Sequence, residues 1–429
     1  MDPAAIGASF PFDVLGIIFS YYVDEETIEF PLETLLFVCR SWNEATLGHR
    51  NLWARLKIYL GHFPTSELWN MRLPRRLEQA GDSTLLEIDL RCILESRRVP
   101  QEVNKDHHRC FRPIPNTLGD RGCDCVATAR RTAKELLIIL AGPQGELCCR
   151  WKSLYLCLGS SNPLGKEMTY PTPNLEAVRL ERSSCEQDIS ILPSIPKVKT
   201  LEIFDPHSMK LPKIETVQNL VIVDFGGLAP LDLSNLKTAT NLQTLTINMR
   251  INVWTYTPYC LPQFLPRLSS MSFIGNYFPS HLNEVQAPNI RRLSLRLDNA
   301  MRFQTFIDSS LPFWDLQELE LTWPSAHRAE YERLRMVTSV LLLLCINITR
   351  IKGERKSLSA IVKLYSEECT TRSIGREDII GKTLSFWSND SSRDVTVRRP
   401  LGKSELEGVA LSLGLIPPCM SWDYMLARL

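Results

Sequence analysis

The 429-residue sequence has no long apolar run, no charge imbalance and none of the short motifs that mark common catalytic chemistry. Its longest purely apolar stretch, residues 340–346, falls far short of the roughly 20 residues that cross a bilayer as a helix. Forty-nine basic residues stand against 48 acidic ones, a net charge of +1. No global field therefore draws the chain to nucleic acid or to an anionic membrane. The first 13 residues carry no basic segment ahead of their apolar ones and are not expected to act as a secretory signal. An intracellular protein, cytoplasmic or nuclear, is expected. In that setting the 13 cysteines should be reduced and packed as small hydrophobes rather than paired in a disulfide framework.

Catalytic motifs are missing too. There is no phosphate loop of the G-x-x-x-x-G-K-[ST] type, no G-x-G-x-x-G, no H-E-x-x-H and no G-x-S-x-G, so neither an enzyme nor a cofactor is expected. His107-His-Arg-Cys110 with Cys123-Asp-Cys125 supplies enough ligands for zinc but lacks the C-x₂-C pairs of common zinc modules. With Pro113, Pro115, Gly119 and Gly122 in between, a long insertion without metal is the simpler expectation. A zinc-dependent enzyme stays open as one alternative.

What is present begins at Phe10. Pro11 suits a helix start, Asp13 places negative charge in the first turn, and Val14, Leu15, Ile17, Ile18 and Tyr21 follow at helical spacing. After the polar break at residues 24–29, Pro31 opens a second helical pattern with Leu32, Leu35, Leu36, Val38, Cys39 and Trp42. Residues 51–60 form a third, with Leu52, Trp53, Leu56 and Tyr59 on one side. Three short helices in so few residues cannot bury apolar stripes this wide against one another, so some apolar surface is left over.

Phe10-Pro-Phe-Asp-Val-Leu with Ile17-Ile-Phe, then Val38-Cys-Arg-Ser-Trp42, then Leu52-Trp53, resembles an F-box over residues 8–60. The departures are Phe10 where Leu is usual and the acidic insert at 24–29. The resemblance implies a three-helix module that docks the Skp-type adaptor of a cullin-RING ubiquitin ligase. Carried over position by position, Pro11, Val14, Leu15, Ile18, Val38, Cys39, Trp42 and Trp53 would contact the adaptor or form the framework that presents the contact. The alternative is that the same residues cap the next domain.

That next domain shows a repeat of the form apolar-x-x-apolar-x-apolar. It runs through Trp151-Lys-Ser-Leu-Tyr-Leu156, Leu175-Glu-Ala-Val-Arg-Leu180, Val198-Lys-Thr-Leu-Glu-Ile203 and Val217-Gln-Asn-Leu-Val-Ile222. It continues through Leu242-Gln-Thr-Leu-Thr-Ile247, Leu268-Ser-Ser-Met-Ser-Phe273, Ile290-Arg-Arg-Leu-Ser-Leu295 and Leu316-Gln-Glu-Leu-Glu-Leu321. Their ends lie 24, 23, 19, 25, 26, 22 and 26 residues apart, the period of a leucine-rich repeat. Each terminal L-x-L predicts a short strand, and stacked strands form a parallel sheet that no single repeat could stabilise. Only Asn276 occupies the usual closing asparagine position, so an irregular solenoid is expected, with an ordinary α/β domain as the alternative. Leu85-Leu-Glu-Ile-Asp-Leu90 is a candidate first strand, and residues 129–141 a helix with Leu136, Leu137, Ile139 and Leu140 on its buried side.

Between the inward positions lie the side chains a partner would meet: Tyr155, Arg179, Glu202, Arg292, Arg296, Glu318 and Glu320, joined by the loop aromatics Trp254 and Tyr256. Their mixed signs suit a protein target better than a polyanion. Helices are expected at 327–344, 357–366 and 405–413, a strand at 346–351 and a polar loop at 388–394.

The expected fold is thus α/β, a three-helix F-box (8–60), a linker with a first strand, a flexible insert and a helix (61–149), an irregular leucine-rich-repeat solenoid with a parallel sheet (150–325) and C-terminal repeats or a cap (326–429). The sequence is similar to the fungal F-box proteins with divergent repeats. That resemblance implies a substrate-recognition subunit of a Skp-cullin-F-box ligase, with the adaptor and a protein substrate as partners, no nucleic acid, no membrane and no metal. A repeat scaffold outside any ligase is the alternative.

Overall fold

A computed structural model of the chain describes residues 10–24, 31–60, 65–92, 124–158, 164–181, 191–205, 211–224, 234–249, 264–275, 287–297, 316–322, 348–353, 358–359, 361, 383–388, 393–398 and 403–413. The chain divides into two units, Met1–Val198 with Pro206–Pro212 and Lys199–Asp205 with Lys213–Leu429. Both are α/β.

The first unit begins with helices α1 (Phe12–Asp24), α2 (Pro31–Leu36), α3 (Arg40–Gly48) and α4 (Arg50–Trp53). Then come strand β1 (Arg55–Leu60), helix α5 (Thr65–Ala80), strand β2 (Leu86–Cys92), helix α6 (Asp124–Ala141) and strands β3 (Trp151–Cys157) and β4 (Ala177–Glu181). The strands pair in parallel in chain order, with Leu56 beside Ile88, Ile88 beside Leu154 and Leu154 beside Val178. These inward residues are buried, and α5 and α6 pack on each other, α5 on β1 and α6 on β1 and β2. The Trp151 indole N–H donates to the Leu140 carbonyl at 3.0 Å, fastening the end of α6 to β3.

Two sequence expectations are corrected here. Residues 51–60 do not form a helix: α4 ends at Trp53 and the chain turns directly into β1. Leu52, Trp53, Leu56 and Tyr59 fit a helical period, but Leu56, Ile58 and Leu60 also fit a period of two. Pairing with β2 decides between them, since all three are buried. Trp53-Ala-Arg-Leu-Lys-Ile58 is therefore one more copy of the repeat. The second expected helix is also broken, at residues 37–39, where the Asn43 side-chain amide donates to the Leu36 carbonyl at 3.0 Å and closes the turn. Residues 61–149 supply the expected strand as β2 and the expected helix as α6, together with α5, which the sequence did not suggest; α6 buries Leu136, Leu137 and Leu140 as expected while Ile139 is half-buried.

The second unit carries β5 (Thr200–Phe204), β6 (Asn219–Asp224), β7 (Thr244–Met249), β8 (Ser270–Gly275), β9 (Arg292–Leu297), β10 (Glu318–Thr322), β11 (Arg350–Gly353) and β12 (Thr383–Ser388). Neighbours in this order are hydrogen-bonded in parallel. An antiparallel strand, β13 (Arg393–Arg398), follows β12, and helix α7 (Lys403–Ser412) packs on it. The sequence suggested neither β12 nor β13, because Thr-Leu-Ser-Phe-Trp-Ser and Arg-Asp-Val-Thr-Val-Arg lack the repeat's leucine spacing. The charged ends of β13 suit an outermost strand. The expected helix at 327–344 lies outside the described residues.

Every one of the eight sequence repeats supplies a strand, β3 to β10. A common turn leads into them. The amide of the first apolar residue donates to the carbonyl three residues earlier, at 3.2 Å each, in Leu175 to Thr172, Val198 to Ile195, Val217 to Ile214, Leu242 to Ala239, Leu268 to Leu265 and Ile290 to Ala287. Asparagines just before the strand link successive repeats: Asn174 donates to the Cys149 carbonyl at 2.8 Å, Asn241 to Glu215 and Asn289 to Pro266 at 2.6 Å. Asn276 lies outside the described residues.

Candidate functional site

Helix α1 is apolar on two faces. Leu15, Phe19 and Val23, spaced four apart, are buried in the unit's core. Val14, Ile17, Ile18 and Tyr21, at i, i+3, i+4 and i+7, point outward, Ile17 being 60% and Tyr21 76% exposed. A helix apolar all round belongs inside a protein or against a partner. Phe10 and Phe12 at the helix start, and Phe37 (88% exposed) and Val38 in the turn after α2, add further exposed apolar side chains.

The candidate adaptor residues fall into two groups on this framework. Pro11, Val14, Ile18 and Val38 are exposed and Cys39 and Trp42 half-buried, whereas Leu15 and Trp53 are buried. The last two act by shaping the module, because the Trp53 indole N–H donates to the Thr46 carbonyl at 2.8 Å and Leu15 sits in the core. Trp42 stacks tilted on Phe19, with ring centroids 5.0 Å apart. Pro11 stands just before α1 rather than in its first turn, and its carbonyl accepts from the Leu15 amide at 3.1 Å. Sequence reasoning missed Ile17, Tyr21 and Phe37 as surface residues. Ile17 and Tyr21 were legible as helical spacing but not as a second face, which needs the inner stripe to be known.

A shallow groove of about 440 Å³ lined by Phe12, Glu44, Ala45, Gly48 and His49 opens beside the start of α1. His49 Nε2–H donates to the Phe12 carbonyl at 2.8 Å, and the ring lies over Gly16, where a Cβ would come within 2.5 Å of it. Only a glycine lets α1 approach this closely. Gly16→Ala is expected to displace His49 and lower stability by about 1–3 kcal/mol, read as a fall in denaturant midpoint without a change in slope.

On the outward side of the first unit's sheet the structure brings together two of the candidate receptor residues, Tyr155 and Arg179, with four that sequence reasoning did not single out. The Arg91 guanidinium carbon lies 5.2 Å from the Tyr59 ring centroid and 4.3 Å from that of Tyr155, and Arg179 stacks on Tyr155 at 4.7 Å. Asp89 grips Arg91 through two hydrogen bonds of 2.7 and 2.6 Å. The Tyr155 hydroxyl donates to Glu181 at 2.6 Å, and Glu181 lies 3.8 Å from Arg179. Burial, with the Glu181 carboxylate, pushes the Tyr155 phenol above its ordinary range. Burial pulls Arg91 down, but the Asp89 hydrogen bonds and charge outweigh it and leave the guanidinium more firmly protonated. These residues come from β1 to β4, so only the parallel register assembles them.

In the second unit one outward row begins with hydroxyl and amide groups at Thr200, Asn219 and Thr244 and turns ionic at Arg292 and Glu318. Asn219 Nδ2 donates to the Thr200 hydroxyl at 3.4 Å, and the Thr244 hydroxyl donates to Asn219 Oδ1 at 2.7 Å. Arg292 lies 3.9 Å from Glu318, which also pairs with Lys352. Glu202 and Glu320 are half-buried on β5 and β10. Arg296 lies on β9. Trp254 and Tyr256 lie outside the described residues, as do His107, Cys110 and Cys123.

No family model matches the sequence, and no curated protein does either. Among the described residues no cluster of metal-ligating side chains occurs and no helix is long and apolar enough to cross a membrane. The adjacent Cys148 and Cys149 differ sharply: Cys149 is exposed, while burial, with the charges of Cys149 and Glu146, pushes the Cys148 thiol up to about 12. Iodoacetamide at pH 8 is therefore expected to label Cys149 and spare Cys148 in peptide mass spectrometry. Because the folded thiol holds its proton above the unfolded value, its contribution to stability is present below about pH 8.5 and is lost as pH rises toward 12.

Proposed function

We propose that this protein is the substrate-recognition subunit of a Skp-cullin-F-box ubiquitin ligase. Its N-terminal helices act as an F-box that docks the Skp-type adaptor, and its sheet faces, as an irregular leucine-rich-repeat solenoid, receive a target protein. The observation that carries this reading is the outer stripe of α1, Val14, Ile17, Ile18 and Tyr21, exposed opposite a buried inner stripe. Apolar anchors at i, i+3, i+4 and i+7 are what a helix offers to a hydrophobic groove. The Val38-Cys-Arg-Ser-Trp42 motif falls at the turn that exposes Phe37 and Val38 and at the start of α3.

In this role the protein supplies no reacting side chain. It holds a target near the transfer machinery, and the gain is one of proximity. The cytoplasm and the nucleus are the compartments in which such a ligase works. The test is co-expression of the full chain with a Skp-type adaptor: a stable complex through gel filtration is expected, and separate elution of the two proteins would overturn the proposal.

A further inference from the structure

The alternating column Tyr59, Arg91, Tyr155, Arg179 crosses four strands, and its charges are balanced from within. Asp89 faces Arg91, and Glu181 faces both Tyr155 and Arg179. The neighbouring cations follow the same rule, since Lys152 and Arg55 share Glu87 at 2.8 and 3.6 Å. A phosphate group, carrying nearly two negative charges, would meet Asp89 and Glu181 as it approached either arginine, and would have to displace them.

Uncharged groups meet no such repulsion. A guanidinium has five N–H donors, and Arg91 directs two of them at Asp89. The remaining N–H groups suit neutral acceptors such as peptide carbonyls and side-chain amides. The planes themselves are taken, since Arg91 stacks on Tyr59 and Tyr155 and the Tyr155 ring on Arg91 and Arg179, so the column offers a ligand its N–H edges rather than its faces.

We propose that this column is a recognition site for an unphosphorylated protein segment without net charge, bearing an amide side chain. The proposal rests on the receptor role given to the sheet faces and names the class of target. It assigns Arg91 and Tyr155 the central contacts, with Asp89 and Glu181 holding them in place.

The test uses the full chain on two arrays of the same short random peptides, one unmodified and one phosphorylated at serine, threonine and tyrosine. Capture of unmodified peptides is expected, falling at least about tenfold in Arg91→Ala and in Tyr155→Ala. Arg91→Lys keeps the charge but not the planar stack and should bind as poorly as Arg91→Ala. Enrichment confined to the phosphorylated array, no capture from either array, or wild-type capture by Arg91→Lys would each overturn the proposal. Adaptor co-purification of the same proteins separates the two ideas. Wild type that selects unmodified peptides but binds no adaptor would sink the ligase reading and leave the peptide site standing.

Discussion

Ile17→Asp is expected to weaken adaptor binding on the order of a hundredfold or more while leaving the fold intact. The size follows from what the carboxylate would meet. Anchors at the centre of a helix-in-groove interface are worth roughly 2–4 kcal/mol when truncated, and each 1.4 kcal/mol is about tenfold in affinity. An aspartate adds the desolvation of an unpaired charge in an apolar groove. Ile17 is mostly in water in the free protein, so the same substitution should change stability by only about 0.5 kcal/mol.

The choice of residue decides whether such an experiment means anything. Leu15→Asp would also abolish binding, but Leu15 is buried in the core, and its loss would unfold the module whatever the outer face does. Phe37→Asp, at another strongly exposed position, is the independent check. If both variants bind the adaptor as tightly as wild type, docking does not use this surface.

The sequence carried much of this architecture but not all of it. The eight leucine-spaced stretches became β3 to β10 because inward leucines at a fixed period leave the chain one way to bury them. The strand at Arg55–Leu60 was hidden by period ambiguity: Leu52, Trp53, Leu56 and Tyr59 satisfy a helix, Leu56, Ile58 and Leu60 a strand, and only pairing with β2 chooses. The proposed docking face was half legible. Helical spacing marked α1 as amphipathic, but the sequence could not tell Leu15 from Ile17, both being branched aliphatics in one run. Arg91 and Tyr59 were not legible as site residues, since their meeting with Tyr155 depends on strands that are far apart in sequence.

Glu33→Ala is expected to destabilise the first unit by about 3–5 kcal/mol, the range found when one partner of a buried ion pair is removed. Arg76 on α5 is only 5% exposed and hydrogen-bonds Glu33 on α2 at 2.8 and 3.4 Å, while its guanidinium lies 4.9 Å from the Trp69 ring centroid. Without Glu33 the cation stays buried against that ring with no carboxylate, whereas in Arg76→Ala the carboxylate left behind is already a quarter exposed and can take up water. Glu33→Ala should therefore be the more damaging of the two. Since domain stabilities lie near 5–15 kcal/mol, hydrogen exchange should quicken first in α1 to α4, with β1 to β3 protected longer. The double replacement Glu33→Leu, Arg76→Leu should recover much of the loss, because apolar residues of similar volume often replace a buried pair at little cost. A loss below about 1 kcal/mol in Glu33→Ala, the value of an exposed pair, would mean that the N-terminal helices are held to α5 by apolar packing alone.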